Sequence, residues 1–268
     1  MIRLPAFALL LPAAAATAQA PPNLAVERAD FARWLETAPG SPFAAVYHQP
    51  LADAVVFGPG GEPGLERLPS ATLEQSVLRL TLRTVEGTRG VPRNRDVALG
   101  DAWRIRVSGE RGRSVVTVFG PVRDPKVPGW YPWDGTLTVD GTLEPSARAE
   151  ARRMLGLDGV EVEASHAGTW VGRVVGTDVR LTVYRMPEPG TEESDLMIFF
   201  RDATNGRGTY PAGRFVALRP QGGNRYQADF NRARNPFCAY NGVFPCPAQW
   251  PGNALAAAVE ARERYHDQ

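Results

Sequence analysis

The residues best suited to chemistry gather late in the chain. Arg201, Asp202, Tyr210, Arg214, Asp229, Asn231, Arg232 and Asn235 all fall at strand ends or turns of an apolar, β-like text. Arginine presents a planar fork of donors that matches carboxylate or phosphate oxygens. Three arginines and two aspartates, with amides and a phenol, would make a cradle for a small anion or a sugar if they converge on one end of a barrel. The same residues, taken singly, read as a salt-bridged network that satisfies the backbone of an irregular loop. Asp202 and Asp229 would alternatively serve a glycoside or ester hydrolase as acid and base, which needs a separation that only folding can set.

Other chemistry is thinly represented. His48, His166 and His266 lie far apart, and no Gly-x-Ser-x-Gly elbow, His-Glu-x-x-His or phosphate-binding glycine loop occurs. Cys238 and Cys246 are the only cysteines. Two thiols without a nearby histidine make a poor zinc site. In an exported chain their spacing favours a disulfide closing the 241–245 loop, with a chain-entropy contribution of about 2.5 kcal/mol. No metal and no cofactor is expected.

These residues need a scaffold, and the text supplies strands. A helix is expected from Leu24 to about Glu36, with Asn23 as N-cap and Leu24, Phe31 and Leu35 on one face. Ala38-Pro39-Gly40 stops it. Strand-like runs follow at 44–48, 53–57, 76–84, 103–107 and 114–119. The stretch 121–133 is a Pro-rich loop interleaved with Trp130, Tyr131 and Trp133, read either as a lid folded onto the core or as an exposed interface. A second helix is expected over 145–155. Strands resume at 159–164, 170–175, 178–185, 196–200, 214–218 and 225–230, with Gly176-Thr177 as a hairpin turn and 196–200 buried on both faces. About eleven strands and two helices, without βα alternation, imply a mainly β fold: an antiparallel sandwich or barrel with an N-terminal helix and an irregular C-terminal loop.

From Phe199 to Asn253 the text carries ordered, spaced elements. It reads Phe199-Phe200-Arg201-Asp202-Ala203-Thr204-Asn205-Gly206, then Thr209-Tyr210-Pro211-Ala212-Gly213-Arg214. It continues Asp229-Phe230-Asn231-Arg232-Ala233-Arg234-Asn235-Pro236-Phe237-Cys238-Ala239-Tyr240, then Cys246-Pro247. This resembles the bacterial domain of unknown function 1684 family. Arg234 stands where that family usually has an aromatic residue, and Phe237 where a second proline is common. The resemblance implies the fold and the region of interest and supplies no reaction.

The N-terminal residues set the compartment. Arg3, an apolar run from Leu4 to Ala16 and then Ala18-Gln19-Ala20 form the three zones of a cleavable secretory signal. The run is shorter than the roughly 20 residues of a membrane span, and no cysteine near the cut suggests a lipid anchor. Without Arg3 the chain holds 29 basic and 29 acidic residues, with Lys126 its single lysine. That balance disfavours nucleic acid. The expected organisation is a signal at 1–20, a helix and β region at 21–120, and a C-terminal β region at 121–268, separate or continuous. The expected protein is extracytoplasmic, without a membrane span. It is a non-catalytic module for a small polar or anionic ligand or an envelope partner; the alternatives are the Asp202/Asp229 hydrolase and a structural envelope protein.

Overall fold

A computed structural model describes residues 20–265 apart from Leu78 and Glu192, so the signal-like segment and His266 lie outside the described residues. The expected first helix is present as α1 (Leu24–Thr37). Leu24 and Leu35 are buried, and Phe31 packs in the cluster around Leu35. Asn23 does not cap it. Its amide donates instead to Glu27 Oε1 at 2.7 Å, in a backbone conformation that is already helical. At Ala38 the backbone turns extended and the helix ends.

Two four-stranded antiparallel sheets follow. One has the order β1 (Ala45–Pro50), β8 (Val115–Phe119), β7 (Trp103–Ser108), β6 (Asp96–Leu99). The other runs β2 (Ala54–Phe57), β3 (Ala71–Gln75), β4 (Leu80–Thr84), β5 (Gly87–Gly90). They share one apolar cluster that includes Phe57, Leu73, Leu82, Ile105, Val107, Val116 and Val118. The strand expected from residue 76 begins only at Leu80, after the Ser76 N–H has bonded to the Arg79 carbonyl at 2.9 Å. Val77, within the expected strand, is 87% exposed.

The C-terminal half closes into a six-stranded antiparallel barrel in the cyclic order β9 (Thr138–Pro145), β11 (Glu161–Val174), β12 (Thr177–Pro187), β13 (Ser194–Phe200), β14 (Arg214–Gly222), β15 (Arg225–Asp229). Closure depends on β9, which pairs with β15 through Thr138–Thr142 and with β11 through Thr142–Pro145. Trp170 fills the interior with no exposure, and its Nε1 donates to the Tyr226 carbonyl at 3.1 Å. Gly141 and Gly172 lie against its indole so closely that a Cβ at either would collide with the ring. The 196–200 run is buried on both faces, as expected. Leu196, Ile198 and Phe200 face the barrel core, while Met197 and Phe199 face a second cluster around Phe215 and Trp250.

Four further expectations are corrected. The 145–155 stretch is not helical; its end is β10 (Ala151–Leu155), which pairs with Glu161–Ser165. Without β10 the first half of β11 would be an unpaired edge, and that pairing overrides the helical leaning of Ala and Arg. The strands expected at 159–164 and 170–175 are one strand, β11, bent by a bulge at Ala167. With β3, β5, β6, β9 and β10 added, the described residues hold fifteen strands and one α-helix. The β11–β12 hairpin turns on Val175-Gly176, both with positive φ as a tight primed turn requires, one residue earlier than expected.

Candidate functional site

The expected cradle divides into separate networks. Arg214, the first residue of β14, is fully buried and its Nη2 donates to Asp202 Oδ2 at 2.6 Å. Its other bonds reach the chain that follows the barrel: Nη2 to the Val259 carbonyl at 2.8 Å and Nη1 to the Ala261 carbonyl at 2.7 Å. Asp202 Oδ1 accepts from the Thr204 backbone N–H and hydroxyl and from the Val259 N–H. This ion pair therefore clasps the C-terminal segment to the barrel. Arg201 is exposed and its Nη1 donates to Gln249 Oε1 at 3.4 Å.

Asp229, Asn231 and Arg232 form a second knot. Asp229 Oδ1 accepts from Thr138 Oγ1, from the Asn231 N–H and from Asn231 Nδ2, and Oδ2 accepts from Arg232 Nη1 at 2.7 Å. The Asn231 amide also brackets Asp134, accepting from its N–H at 3.0 Å and donating to its carbonyl at 2.8 Å. Arg232 reaches back to α1 and grips Glu27 with Nε and Nη2 at 2.8 and 2.9 Å. That grip holds the Glu27 carboxyl below its ordinary value. With Asp202 wholly buried and both oxygens of Asp229 engaged, the pair is built as two structural anchors, not as facing acid and base.

Tyr210 and Asn235 belong to neither knot. The Tyr210 hydroxyl lies 3.2 Å from Cys238 Sγ and 3.1 Å from Cys246 Sγ. The expected disulfide is not formed: both cysteines are free, with sulfurs 2.5 Å apart. Burial, then the neighbouring Cys246, pushes the Cys238 thiol up to about 12.

Asn235 leads to a buried cluster that residue type alone did not reveal. Its Nδ2 donates to Glu263 Oε2 at 2.7 Å, and the Tyr240 hydroxyl donates to the same oxygen over a very short distance. Arg262 Nε reaches Glu263 Oε1 at 3.4 Å, and its guanidinium stacks on Phe31 and Trp130 at 5.0 and 5.1 Å. Burial raises the Glu263 carboxyl above its ordinary value, with Arg262 pulling the other way. Arg262 also has a φ of 62°, a left-handed conformation unusual for a residue with a side chain. Trp130 and Tyr131 are thus folded onto the body, pinned by Arg28, Arg262 and Arg264.

Two of the expected residues do reach an open groove. Asp229 and Arg232 border a cavity of about 510 Å³ along β14, with Arg219, Arg234 and Arg262. Glu27, Glu188 and Asp195 complete its charged rim. Arg234, which resemblance marks as a departure, holds Glu188 at this rim through both carboxylate oxygens. Arg219 is exposed and makes no ion pair within 4 Å among the described residues.

The family model for proteins of unknown function DUF1684 matches residues 128–264. The chain belongs to that family. The match spans the barrel, both knots and the Glu263 cluster, so these elements make up the DUF1684 portion. The chain is also similar to the uncharacterized protein from gene locus rrnAC0354 of Haloarcula marismortui, solved by solution NMR. The two are 30% identical over 51% of this chain and 75% of the other, with a TM-score of 0.44. No curated protein matches the chain.

Outside the DUF1684 barrel's own groove, a smaller cavity of about 190 Å³ is lined by Glu110, Asp158, Glu161 and Glu163. No group of side chains suited to a metal ion occurs among the described residues. Burial pushes the Asp158 carboxyl from its ordinary 3.8 up to about 6, against the Val160 N–H that it accepts at 3.2 Å. A carboxyl raised on folding binds its proton more tightly in the native state. Its contribution is therefore complete below pH 3.8 and is lost as pH rises through about 6. Because Asp158 is partly exposed, that loss is about 1–2 kcal/mol. Asp158→Asn should flatten this slope and be the more stable protein at pH 7, as urea titrations at pH 4 and pH 7 would show.

Proposed function

We propose that this DUF1684 protein is an exported, non-catalytic binding module whose β14 groove takes a small polar ligand bearing a carboxylate or similar anion. The observation that carries the reading is Arg219: an exposed guanidinium with no ion pair within 4 Å among the described residues, set in a groove of about 510 Å³ beside Arg232 and Arg262. A groove of this size suits a metabolite-sized ligand. The surrounding arginines are already braced by Glu27, Glu188 and Glu263, so little side-chain freedom is lost on binding. The opposing carboxylate of Asp195 offers a contact for an amine or hydroxyl on the same ligand.

Export rests on the signal-like segment, with cleavage after Ala20 releasing a chain that starts at Pro21. Among the described residues no helix is long and apolar enough to cross a membrane. The two N-terminal sheets and the DUF1684 barrel would form two units joined near the 121–133 loop, where the family match also begins.

The test uses protein recovered from the cell envelope, with its N-terminus read by mass spectrometry. Thermal shifts are then measured against dicarboxylates, amino acids, sugar acids and neutral sugars. A true ligand at a hundred times its Kd stabilises by about 2.7 kcal/mol, a rise of roughly 5–10 °C for a chain of this size. Arg219→Gln should abolish the shift while leaving the unliganded melting temperature in place. A panel without any hit, or a shift that survives Arg219→Gln, would refute the groove as the site.

A further inference from the structure

A second, independent site is written into the N-terminal sheets, outside the family-matched region. Between the β3–β4 turn and the β7–β8 turn lies a pocket of about 200 Å³ whose charged lining is Arg79, Arg93 and Arg111. No carboxylate lines it, and none of the three makes an ion pair within 4 Å among the described residues. In a chain whose opposite charges are otherwise balanced, three like charges at one small cavity are an unfavourable arrangement that an anion would relieve.

The middle arginine is held for the task. Arg93 is half-buried, and its Nη1 donates to the Gly109 carbonyl at 3.0 Å and to Ser114 Oγ at 2.9 Å. Ser114 Oγ in turn contacts Gln75 Oε1, and the Gln75 amide donates to the Ala52 carbonyl at 3.2 Å. One end of the guanidinium is thus fixed, while Nε and Nη2 carry no hydrogen bond among the described residues. Burial and the nearby Arg111 disfavour its positive charge, which is the setting in which a bound anion helps most. Leu80 and Val91 line the same pocket, and apolar walls strengthen a charge–charge contact inside it. Arg79 and Arg111 are exposed and free to close from either side.

We propose that the Arg79–Arg93–Arg111 pocket binds a phosphate group. A tetrahedral dianion has oxygens enough for three forks, whereas a carboxylate has two oxygens and one charge. The group can come from a soluble phosphate or phosphomonoester, or from a lipid whose headgroup is itself a phosphomonoester, with the 87% exposed Val77 at the rim available to meet a lipid surface. The site stands apart from the β14 groove and does not depend on its ligand.

Calorimetric titration of the whole protein with inorganic phosphate at low salt tests it. Saturable binding is expected, weakened about ten-fold or more in the Arg79→Gln/Arg111→Gln double variant. Those two side chains make no hydrogen bond among the described residues, so the variant should melt with the wild type. Arg93→Gln should weaken binding as well, and Arg219→Gln should leave it unchanged. Co-sedimentation with vesicles containing phosphatidic acid but not with phosphatidylcholine vesicles, reversed by phosphate, would identify a headgroup as the source. Failure to sediment alongside phosphate binding would identify a soluble one. The proposal is overturned if no saturable binding occurs by about 10 mM phosphate. It is equally overturned if the double variant binds as the wild type does, or if acetate binds as tightly as phosphate.

Discussion

Replacing Arg214 with methionine should lower the stability of the fold by about 3–5 kcal/mol. The side chain is fully buried, and so is that of its partner Asp202. Methionine fills much of the volume beside Phe200 but returns none of three bonds: to Asp202, to the Val259 carbonyl and to the Ala261 carbonyl. The larger part of the loss comes from leaving Asp202 as a buried, uncompensated carboxylate. Adding Asp202→Asn to the methionine variant should therefore recover part of the stability, although each change alone is damaging. Arg214→Lys should not rescue, because an ammonium cannot span both carbonyls and the carboxylate as the fork does. Urea denaturation gives the energies, and hydrogen exchange around Val259 shows whether the C-terminal segment detaches first. A loss below about 1 kcal/mol for Arg214→Met would mean that the clasp is not what holds this segment.

That clasp explains what could and could not be seen in the chain. The polar residues of the 199–235 stretch were recognisable as a group, because so many forks, amides and carboxylates at strand ends must pair with something. Their partners were not. Val259 and Ala261 contribute only backbone carbonyls, which carry no trace in residue type. Asn253 is another case: its amide bridges Thr182 and Phe199 where β12 and β13 part beyond the Tyr184–Met197 pair. The alternation of Val179, Leu181 and Val183 identified β12, and Leu196–Phe200 identified a strand covered on both sides. In contrast, β9 contains Asp140, Gly141 and Glu144 and shows little apolar period, yet it closes the barrel. Its glycine is required by the indole of Trp170, a long-range contact invisible along the sequence. The helix expected over 145–155 failed for the same reason, since the edge of β11 determines that segment's conformation. Glu263 was legible only as one acidic residue in a charged C-terminal run, and only folding reveals it as buried.

Glu263 supports the second large effect. Its carboxylate faces Arg262, Tyr240 and Asn235, and it has no exposure. Arg28 and Arg262 both stack on Trp130, so two guanidinium groups meet at one indole. Two nitrogens of Arg28 are buried without a hydrogen-bond partner, and burial with the adjacent Arg262 already disfavours its charge. Removing that carboxylate should make this arrangement untenable. Glu263→Leu is expected to destabilise by about 3–5 kcal/mol, because a buried cation loses its counter-charge and two donors lose their acceptor. Glu263→Gln keeps the shape and one acceptor, and should cost about 1–3 kcal/mol. The order of the two variants separates charge from packing: equal losses would point to the missing charge alone. Arg262 also lines the β14 groove, so its release should weaken ligand binding there while leaving phosphate binding at Arg93 intact. Thermal melts of both variants, each with and without phosphate, read stability and site coupling in one experiment. If Glu263→Leu melts with the wild type, the buried carboxylate is not the keystone of the DUF1684 barrel's C-terminal cluster.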